Sequence, residues 1–338
     1  MTAPAPVVWL WSVGGLGGTE RRMVDVAASL RARGIHVDHL LLQTGGPLEA
    51  SLIARGCEVH SVTPVEAVRF TASLNQGSVV TMGLKAALLA NGGKILGGRF
   101  RLVMSRAGLD FGKGPVYRLI DRINGLGVDA FLCNSQQVIN HLLGVGMPAG
   151  RLVLLPPALG CEWFAPVESR PFGAIVAMVG NSRPEKNQVV GLRAFVRSGV
   201  EGTLRVYTDD GSVLRDAWAQ EEVRPGQTLE VLEGKLLAVA DMEAVDLLIH
   251  PSVSESLPRA VLEAGARGRS ILATPVGALP DYLPAEALLS PLDIDRWAQA
   301  IAAEWERPSP NGTPLQREVL SIEQYVNRFL EVIYGGRR

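Results

Sequence analysis

The feature that most constrains the fold is a repeated alternation of short apolar runs with amphipathic helical stretches. VVWLWSV (7–13), a glycine-rich loop, a helical stretch from about Thr19 to Arg33 and IHVDHLLL (35–42) form one βαβ unit. Further apolar runs follow as GSVVTM, RLVMSR, AFLCNS and RLVLLP. Because these runs are apolar almost throughout, they are typical of parallel strands that helices cover on both faces.

A second series of the same kind begins at about residue 173. Its apolar runs are GAIVAMVG, TLRVYT, TLEVLEG, AVDLLIHPS and SILATPV, and the polar, proline-containing segment PVESRPFG precedes it. A chain of 338 residues has about the length of two domains. We therefore predict two doubly wound α/β domains, over 1–166 and 167–317. A last helix over 322–334, within a third segment 318–338, carries Tyr325, Phe329, Val332 and Ile333 on one apolar stripe.

Cysteine usage and the N-terminus predict a protein of a reducing compartment. Cys57, Cys133 and Cys161 lie far apart and have neither disulfide-framework nor zinc-ligand spacing. The N-terminal apolar run has about seven residues, against the ~20 that cross a bilayer, and no charged region precedes it. We expect a cytoplasmic location, with no spanning segment.

Charge is distributed unevenly between the two halves. Residues 1–166 contain 15 Lys/Arg and 10 Asp/Glu, whereas residues 167–338 contain 18 and 24, so the halves carry +5 and −6. Two interpretations stay open for the basic stretch of the first half: solvated helix faces, or contact with an anionic partner or with the inner face of a membrane. The stretch comprises Lys85, Lys94, Arg99, Arg101, Arg106, Lys113, Arg118 and Arg122.

The glycine-rich loop after the first apolar run is a candidate phosphate-binding loop. It reads SVGGLGGTE over 12–20, and its glycines, Gly17 and Gly18 among them, would let a ligand approach the N–H groups at a helix start. Turn geometry alone explains the same glycines equally well. The spacing is not GxGxxG, and the second strand ends in Leu42-Gln43 without a carboxylate, which disfavours a dinucleotide site.

Two segments of the second half combine charged side chains with a helix start. VGNSRPEKNQVVGLRAFV (179–196) places Arg183 and Lys186 before an amphipathic helix, where they either bind a diphosphate or lie in an exposed turn. HPSVSESLPRAVLEAGARG (250–268) places Glu255 before, and Glu263 within, a helix that begins at about Pro258. A glutamate pair of this kind also fits a hydrolase or an exposed helix face. His250 is predicted to be a satisfied structural histidine.

Together these segments resemble retaining glycosyltransferases of family 4, the group 1 glycosyl transferases, over almost the whole chain. GGLGGTERRMVDVAASLRARGIHV is similar to the glycine loop and first helix of that family, and CNSQQVINHLLGVGMPAGRLVLLPP to the end of its first domain. VGNSRPEKNQVVGLRAF resembles its phosphate loop, and SESLPRAVLEAGARG its signature of two glutamates separated by seven residues. The last helix resembles the one that crosses back onto the first domain.

The resemblance implies the GT-B architecture, two Rossmann-like parallel-sheet domains facing across a cleft, and sugar transfer from a nucleotide-sugar donor. It implies that Glu255 holds the donor sugar, that Glu263 holds the ribose, and that Gly17 and Gly18 approach the phosphates. Arg183 or Lys186 would pair with the diphosphate, without a metal ion or another cofactor. The expected catalytic residues are Lys186, Arg183 and Glu255, and the expected donor-binding residues are Gly17, Gly18, Asn181, Ser256, Leu257, Pro258 and Glu263.

The sequence departs from the family in three places. Asn181 stands where the phosphate loop usually has arginine, which leaves Arg183 as a candidate substitute. Val80-Thr81-Met82 lacks the histidine common after a strand of the first domain, and the interdomain motif is replaced by PALGCE (157–162). Arg106, after the next strand, is an acceptor-side candidate, although strand-end arginines are commonly surface residues.

Two rival functions remain open beside the transferase. One is a catalytically silent nucleotide-sugar-binding module, for which Asn181 and the missing histidine are the motivating observations. The other is a GT-B sugar-nucleotide epimerase. The expected partners are a nucleotide sugar and a hydroxyl acceptor that is a glycan, lipid-linked or a small molecule, and no nucleic acid. Base, sugar and acceptor depend on a few pocket contacts that the sequence pattern does not reveal.

Overall fold

A computed structural model describes residues 5–106, 115–165, 173–306 and 312–335 of the chain. Internal contacts divide the chain into two compact units. Unit 1 comprises Met1–Gly160 and Leu320–Arg338, and unit 2 comprises Cys161–Val319. Each unit is a parallel β-sheet with helices, so the α/β fold class predicted for both halves is confirmed.

Unit 1 is built on a seven-stranded sheet in which all pairings are parallel. The strand order is β3-β2-β1-β4-β5-β6-β7. β2 and β3 are thus added on one side of β1, and β4 to β7 on the other, so the order of the strands reverses between β1 and β4. Buried residues fill β1 and β4 completely, as expected for central strands covered on both faces. The strands are β1 (Val7–Trp11), β2 (Val37–Leu41), β3 (Glu58–Ser61), β4 (Ser78–Met82), β5 (Arg101–Arg106), β6 (Ala130–Cys133) and β7 (Leu152–Leu154).

The C-terminal helix of the chain belongs to unit 1, where it packs on the first helix. Tyr325 and Phe329 are buried, and Phe329 meets Trp9 edge-on with ring centroids 5.8 Å apart. Val326 is buried on the same stripe, whereas Val332 is only partly buried. The helices of unit 1 are α1 (Gly18–Ala32), α2 (Pro47–Ala54), α3 (Pro64–Ser73), α4 (Leu84–Ile95), α5 (Pro115–Gly127), α6 (Gln136–Val145) and α13 (Ile322–Ile333).

Unit 2 is built on a five-stranded parallel sheet of order β11-β10-β9-β12-β13. Its strands are β9 (Ile175–Val179), β10 (Gly202–Thr208), β11 (Gln227–Glu233), β12 (Leu247–His250) and β13 (Ser270–Ala273). Its helices are α7 (Gln188–Ser198), α8 (Ser212–Ala219), α9 (Val239–Glu243), α10 (Arg259–Ala266), α11 (Leu279–Tyr282) and α12 (Ile294–Glu306). Phe195 of α7 and Trp297 of α12 are fully buried in one core cluster with residues of β9, β10 and β12.

Two features of unit 1 were not predicted from the sequence. β3 is an edge strand whose residues Glu58, His60 and Ser61 are exposed, so it lacks the apolar run that marked the other strands. β8 (Ala158–Leu159) pairs in parallel with β14 (Leu320–Ser321), and only the tertiary fold brings these two-residue strands together. In the described part of the chain, no helix has both the length and the apolar character needed to cross a membrane.

Candidate functional site

The carboxyl ends of the strands in unit 2 bring the predicted phosphate loop and the predicted signature loop together. β9 and β12 are neighbours in the sheet, although the chain passes through β10 and β11 between them. Ligands of open α/β sheets bind at such a reversal of strand order. Loop 180–187 follows β9 and loop 251–258 follows β12, so both border the switch point of this sheet.

Lys186 projects from the first of these loops onto Glu255 of the second. It ends a short 3₁₀ turn, Pro184–Lys186. A Cβ on Gly180 would lie 3.3 Å from Cδ of Lys186, so the glycine leaves room for the lysine stem. The ammonium donates a hydrogen bond to Oε1 of Glu255. The two side chains are only 23% and 15% exposed, so water screens the ion pair weakly.

Glu255 is ionised by its surroundings in spite of its burial. Burial by itself raises the pKa of this carboxyl. Contact with His250 and Lys186 outweighs that effect, and the pKa is lowered from 4.5 to about 2. Ser252 Oγ also donates to Oε1 of Glu255, at 3.5 Å. Glu255 is therefore a permanent anion at neutral pH and can only accept hydrogen bonds.

His250 lies closer to the site than the sequence analysis predicted. It is buried at the end of β12, as expected for a structural residue, but its Nε2 makes no hydrogen bond to any residue that the structure describes. This atom lies 3.4 Å from Oε1 of Glu255. The structural role predicted for His250 stays a prediction, and the ring faces the carboxylate of the signature loop.

Asn187 connects the two loops and was not singled out in the sequence. Its backbone has φ +54°, a left-handed conformation that asparagine tolerates better than most residues. Its Nδ2 donates to the carbonyl oxygens of Pro251, at 3.0 Å, and of Pro291, at 2.8 Å. Asn187 therefore fixes the start of α7 against the end of β12.

The signature segment begins its helix one residue later than predicted. α10 starts at Arg259, with Pro258 as the N-cap and no side chain capping the helix. Glu263 is buried, and its Oε1 accepts a hydrogen bond from Arg259 Nε at 2.6 Å. Ser256 and Leu257 are partly exposed at the edge of the loop. Uncapped N–H groups at this helix start are suited to bind an anion or a hydroxyl oxygen.

Gly277 supports the signature loop from behind. Its φ is +58°, and a Cβ at this position would lie 2.2 Å from the carbonyl oxygen of Ser256 and 2.4 Å from that of Glu255. The next residue, Ala278, donates its N–H to the Ser256 carbonyl at 2.7 Å. Only glycine allows this approach of two backbones, so residue 277 sets the position of Glu255.

Arg183 and Asn181 are more exposed than Lys186. The Arg183 side chain is 67% exposed, with Nη1 3.9 Å from Oε1 of Glu185. Asn181 is also exposed, and its carbonyl accepts the Arg183 N–H at 2.8 Å. Asp209 follows β10 and accepts the Ser182 N–H at 2.6 Å, a hydrogen bond that lowers the pKa of Asp209. This carboxylate was not predicted to lie beside the phosphate loop.

The glycine loop lies at the switch point of unit 1, after β1. Gly17 is the N-cap of α1, and both Gly17 and Gly18 are exposed. The Gly17 N–H donates to Oε2 of Glu20, at 3.1 Å. An anion that binds this N–H would therefore have to displace the Glu20 carboxylate.

Arg106 ends β5 and is buried, which differs from the expectation that a strand-end arginine lies on the surface. Its guanidinium donates to Asp121 of α5, with Nη2 and Oδ2 3.2 Å apart. His141 of α6 lies near the same carboxylate, with Nε2 3.9 Å from Oδ2. Arg106 thus takes part in a buried charge cluster in unit 1.

Much of the predicted basic stretch lies on helices α4 and α5 and the turn after α4. Lys85, Arg99 and Arg122 are exposed, whereas Lys94 pairs with Asp129 at 2.6 Å. Lys113 lies outside the described residues, and so does the side chain of Arg118.

Within the described residues, one cluster of side chains has the ligand types of a metal site. His36, Asp38 and Glu58 offer ligand atoms that all lie within 4.8 Å of one another. They lie at the amino ends of β2 and β3, whereas the glycine loop follows the carboxyl end of β1. Metal binding here would be separate from the loops that carry the predicted site.

Comparison with known proteins relates unit 2 to glycosyltransferases. Residues 173–306 match the family model of the group 1 glycosyl transferases. This range contains the phosphate loop, Glu255 and Glu263. A D-inositol 3-phosphate glycosyltransferase of Mycobacterium avium (strain 104) is 28% identical over 215 residues, which cover 56% of this chain and 49% of the relative. The chain spans about half the length of the curated relatives it matches.

Solved structures with the same fold match almost the whole chain. The Anabaena Alr3699/HepE crystal structure in complex with UDP-glucose superposes with a TM-score of 0.79 and 15% identity, covering 98% of this chain and 99% of that one. A glycosyltransferase from Rickettsia africae ESF-5 gives 0.79 and 14%, covering 99% of each chain. The chain therefore has the GT-B fold, with two Rossmann-like units.

Proposed function

We propose that this chain is a retaining glycosyltransferase of family 4, which moves a sugar from a nucleoside diphosphate sugar to an acceptor hydroxyl. The observation that carries the proposal is the Lys186–Glu255 pair at the switch point of unit 2. The pair lies inside the segment that matches the glycosyltransferase model. The donor class follows from the charges of this site, a cation for a diphosphate and a carboxylate for sugar hydroxyls.

Lys186 would stabilise the leaving group. An ammonium has three N–H donors, and only one is needed for Glu255. The others are available to a diphosphate oxygen on which negative charge grows as the bond to the anomeric carbon breaks. A charge already held in place by Gly180 and Glu255 needs no reorganisation at that moment, and such stabilisation is worth several kcal/mol. Arg183, which is exposed, would contribute to the same diphosphate.

Glu255 and Glu263 would hold the two ends of the donor. The ionised Glu255 uses Oε1 for Lys186 and Ser252, so its second oxygen can accept hydroxyls of the donor sugar. Glu263, whose Oε1 accepts a hydrogen bond from Arg259, would hold the ribose hydroxyls. Asn181, Ser256, Leu257 and Pro258 would line the donor, while Gly17, Gly18 and the acceptor-side candidate Arg106 belong to unit 1.

The transfer itself would retain the anomeric configuration. Electrons of the broken C–O bond pass to the leaving diphosphate, and the acceptor oxygen attacks the same face of the sugar. The acceptor hydroxyl loses its proton to the departing diphosphate, which balances the charges. Because cationic side chains would neutralise the leaving group, we propose that the reaction needs no divalent ion. The acceptor is a glycan, a lipid-linked or a small-molecule hydroxyl, and the location is cytoplasmic.

The test begins with donor binding and ends with product analysis. A thermal-shift screen of uridine, guanosine, adenosine and thymidine diphosphates identifies the base, since a ligand at 100 times its Kd stabilises by about 2.7 kcal/mol. The sugar nucleotide of that base is then incubated with acceptors, with D-inositol 3-phosphate, the substrate in the relatives' name, among the first. NMR of the product reports the anomeric configuration, and EDTA tests the need for a metal ion.

Three outcomes would contradict parts of this proposal. Binding of a sugar nucleotide without turnover on any acceptor class would favour the silent binding module. A change in the donor sugar without an acceptor would favour the epimerase. An inverted product would retain the transferase but reject the proposed stereochemistry.

A further inference from the structure

α5 exposes three apolar side chains and buries two polar ones. Leu119, Ile123 and Leu126 are 58%, 47% and 82% exposed, whereas Asp121 and Asn124 are 5% and 0% exposed. Positions 119, 123 and 126 share one side of a helix with 3.6 residues per turn, and 121 and 124 lie on the other. A helix on the surface of a globular domain has the reverse arrangement.

The polar side of α5 faces inward because unit 1 supplies partners for it. Asp121 accepts from Arg106, and the Asn124 Nδ2 donates to the Leu84 carbonyl at 3.4 Å. The backbone of Asn124 also accepts a hydrogen bond from Asn91 of α4, at 3.0 Å. These contacts fix the rotation of α5 about its axis, so the outward direction of its apolar side is set by packing.

The neighbouring helix α4 extends the apolar surface. Lys94 of α4 donates to the Gly127 carbonyl at the end of α5, at 2.8 Å, so the two helices lie side by side. Ile95 and Leu96, directly after this lysine, are 84% and 68% exposed. We call the exposed apolar residues of α4, of α5 and of the turn after α4 the α4–α5 face. It comprises Leu88, Ile95, Leu96, Leu119, Ile123 and Leu126.

The exposed charged side chains that the structure describes on α4, on α5 and in the turn after α4 are positive. They are Lys85 of α4, Arg99 in the turn and Arg122 of α5, whose Nε also donates to the Val145 carbonyl. The only carboxylate in the sequences of α4 and α5 is Asp121, which is buried and accepts a hydrogen bond from Arg106. Asp129, which follows α5, accepts hydrogen bonds from Lys94 and from the Leu102 N–H. An apolar face that carries exposed cations is complementary to a surface in which an anionic outer layer covers an apolar layer.

We propose that the α4–α5 face docks on the interface of a membrane that contains anionic lipids. The leucine and isoleucine side chains would enter the boundary between headgroups and acyl chains, as the apolar side of an interfacial helix does, while Lys85, Arg99 and Arg122 contact the headgroups. α5 has 13 residues and would lie in the plane of the surface. This docking goes beyond the proposed transferase function and does not depend on it.

A second copy of the chain fits the α4–α5 face less well. A symmetric dimer brings the same patch of both copies together, so the exposed cations of one copy would meet those of the other. Neither α4 nor α5 offers an exposed carboxylate to neutralise them. Lipid headgroups supply that negative charge.

The experiment is co-sedimentation of the full chain with vesicles, in the absence of any sugar nucleotide. Vesicles of phosphatidylcholine are compared with vesicles in which one third of the lipid is phosphatidylglycerol. We expect binding to the anionic vesicles that weakens with salt, and about tenfold weaker partitioning for Leu119→Gln/Ile123→Gln, which removes two insertable side chains. The matched control is Ile53→Gln/Val213→Gln, at positions 57% and 59% exposed elsewhere on the chain, which should bind as the parent does.

Several results would overturn the docking proposal. One is that the parent does not sediment with anionic vesicles. Another is that Leu119→Gln/Ile123→Gln binds the vesicles as well as the parent does, and a third is that the control pair loses as much vesicle binding as that variant. Light scattering that shows a dimer of the parent, lost in Leu119→Gln/Ile123→Gln, would assign the face to a second copy instead. Unchanged Tm and unchanged nucleoside diphosphate binding verify that each variant is folded. Because no turnover is measured, failure of docking is distinguishable from failure of the transferase proposal.

Discussion

The ammonium of Lys186 donates a hydrogen bond to Glu255, although the two are 69 positions apart in the sequence. The lysine follows β9 and the glutamate follows β12, which are neighbours only because the chain reverses its progress through the sheet of unit 2. The pair therefore joins the two segments of unit 2 that carry the family resemblance.

Lys186→Ala should lower kcat by roughly 10²–10³, if its charge meets a leaving group as an oxyanion donor does. It should also lower Tm, because the buried Glu255 carboxylate loses its cation. Steady-state kinetics are measured well below that Tm, with Lys235→Ala as control, since Lys235 is 50% exposed and pairs with Asp241 in the same unit. A kcat within about twofold of the parent would show that Lys186 has no leaving-group role.

Glu263→Ala should mainly raise KM for the donor. Contacts to the ribose are the same in the ground and transition states, and such uniform binding affects KM more than kcat. Kinetics with varied donor concentration give both constants, and Glu286→Ala, at an exposed position of unit 2, is the control. A fall in kcat at unchanged KM would contradict the assignment of Glu263 to the ribose.

Gly277→Ala should abolish donor binding, whereas Gly234→Ala should leave it intact. Both glycines have positive φ, +58° and +66°, so alanine adds similar backbone strain of about 1–2 kcal/mol at either position. Only at 277 does the new Cβ also collide with the Ser256 carbonyl, since nothing lies within 4 Å of a Cβ at 234. Titration of both variants with the nucleoside diphosphate separates strain from displacement of the loop. Equal affinities would argue against the supporting role of Gly277.

Glu255→Gln should destabilise the chain more at neutral pH than in acid. The pKa of Glu255 is lowered from 4.5 to about 2, so its ionised form favours the folded state. This stabilisation, roughly 3 kcal/mol, is complete above about pH 5 and is lost as pH falls through 4.5 towards 2. The difference in unfolding free energy between parent and variant should therefore shrink over that range. A difference that stays constant from pH 7 to pH 3 would refute the lowered pKa.

The predicted elements of the fold were those whose own sequence carried the signal. Apolar runs identified β1, β2, β4 to β7 and β9 to β13, because central parallel strands are buried on both faces. β3 was missed because an edge strand is partly exposed and needs no apolar run. The pairing of β8 with β14 was missed because two-residue strands carry no periodicity.

The residues of the candidate site also divide into those that the sequence singled out and those that it missed. Lys186, Glu255 and Glu263 were singled out because their spacing matches a family pattern. Asn187, Gly277 and Asp209 were not, because each acts on a loop that is distant in sequence. The burial of Arg106 also depended on a partner, Asp121, that no local pattern connects to it.

The sequence by itself determined the α/β class, the two series of strands and the identity of the charged residues in the loops after them. These properties follow from local composition and periodicity, since each segment must bury its apolar side whatever its neighbours are. Only the tertiary structure decided which loops meet, that the carboxylate of Glu255 is held ionised, and that α5 directs its leucines outward. Those outcomes depend on strand order and on hydrogen bonds between distant residues, and such long-range contacts form only when the whole unit folds.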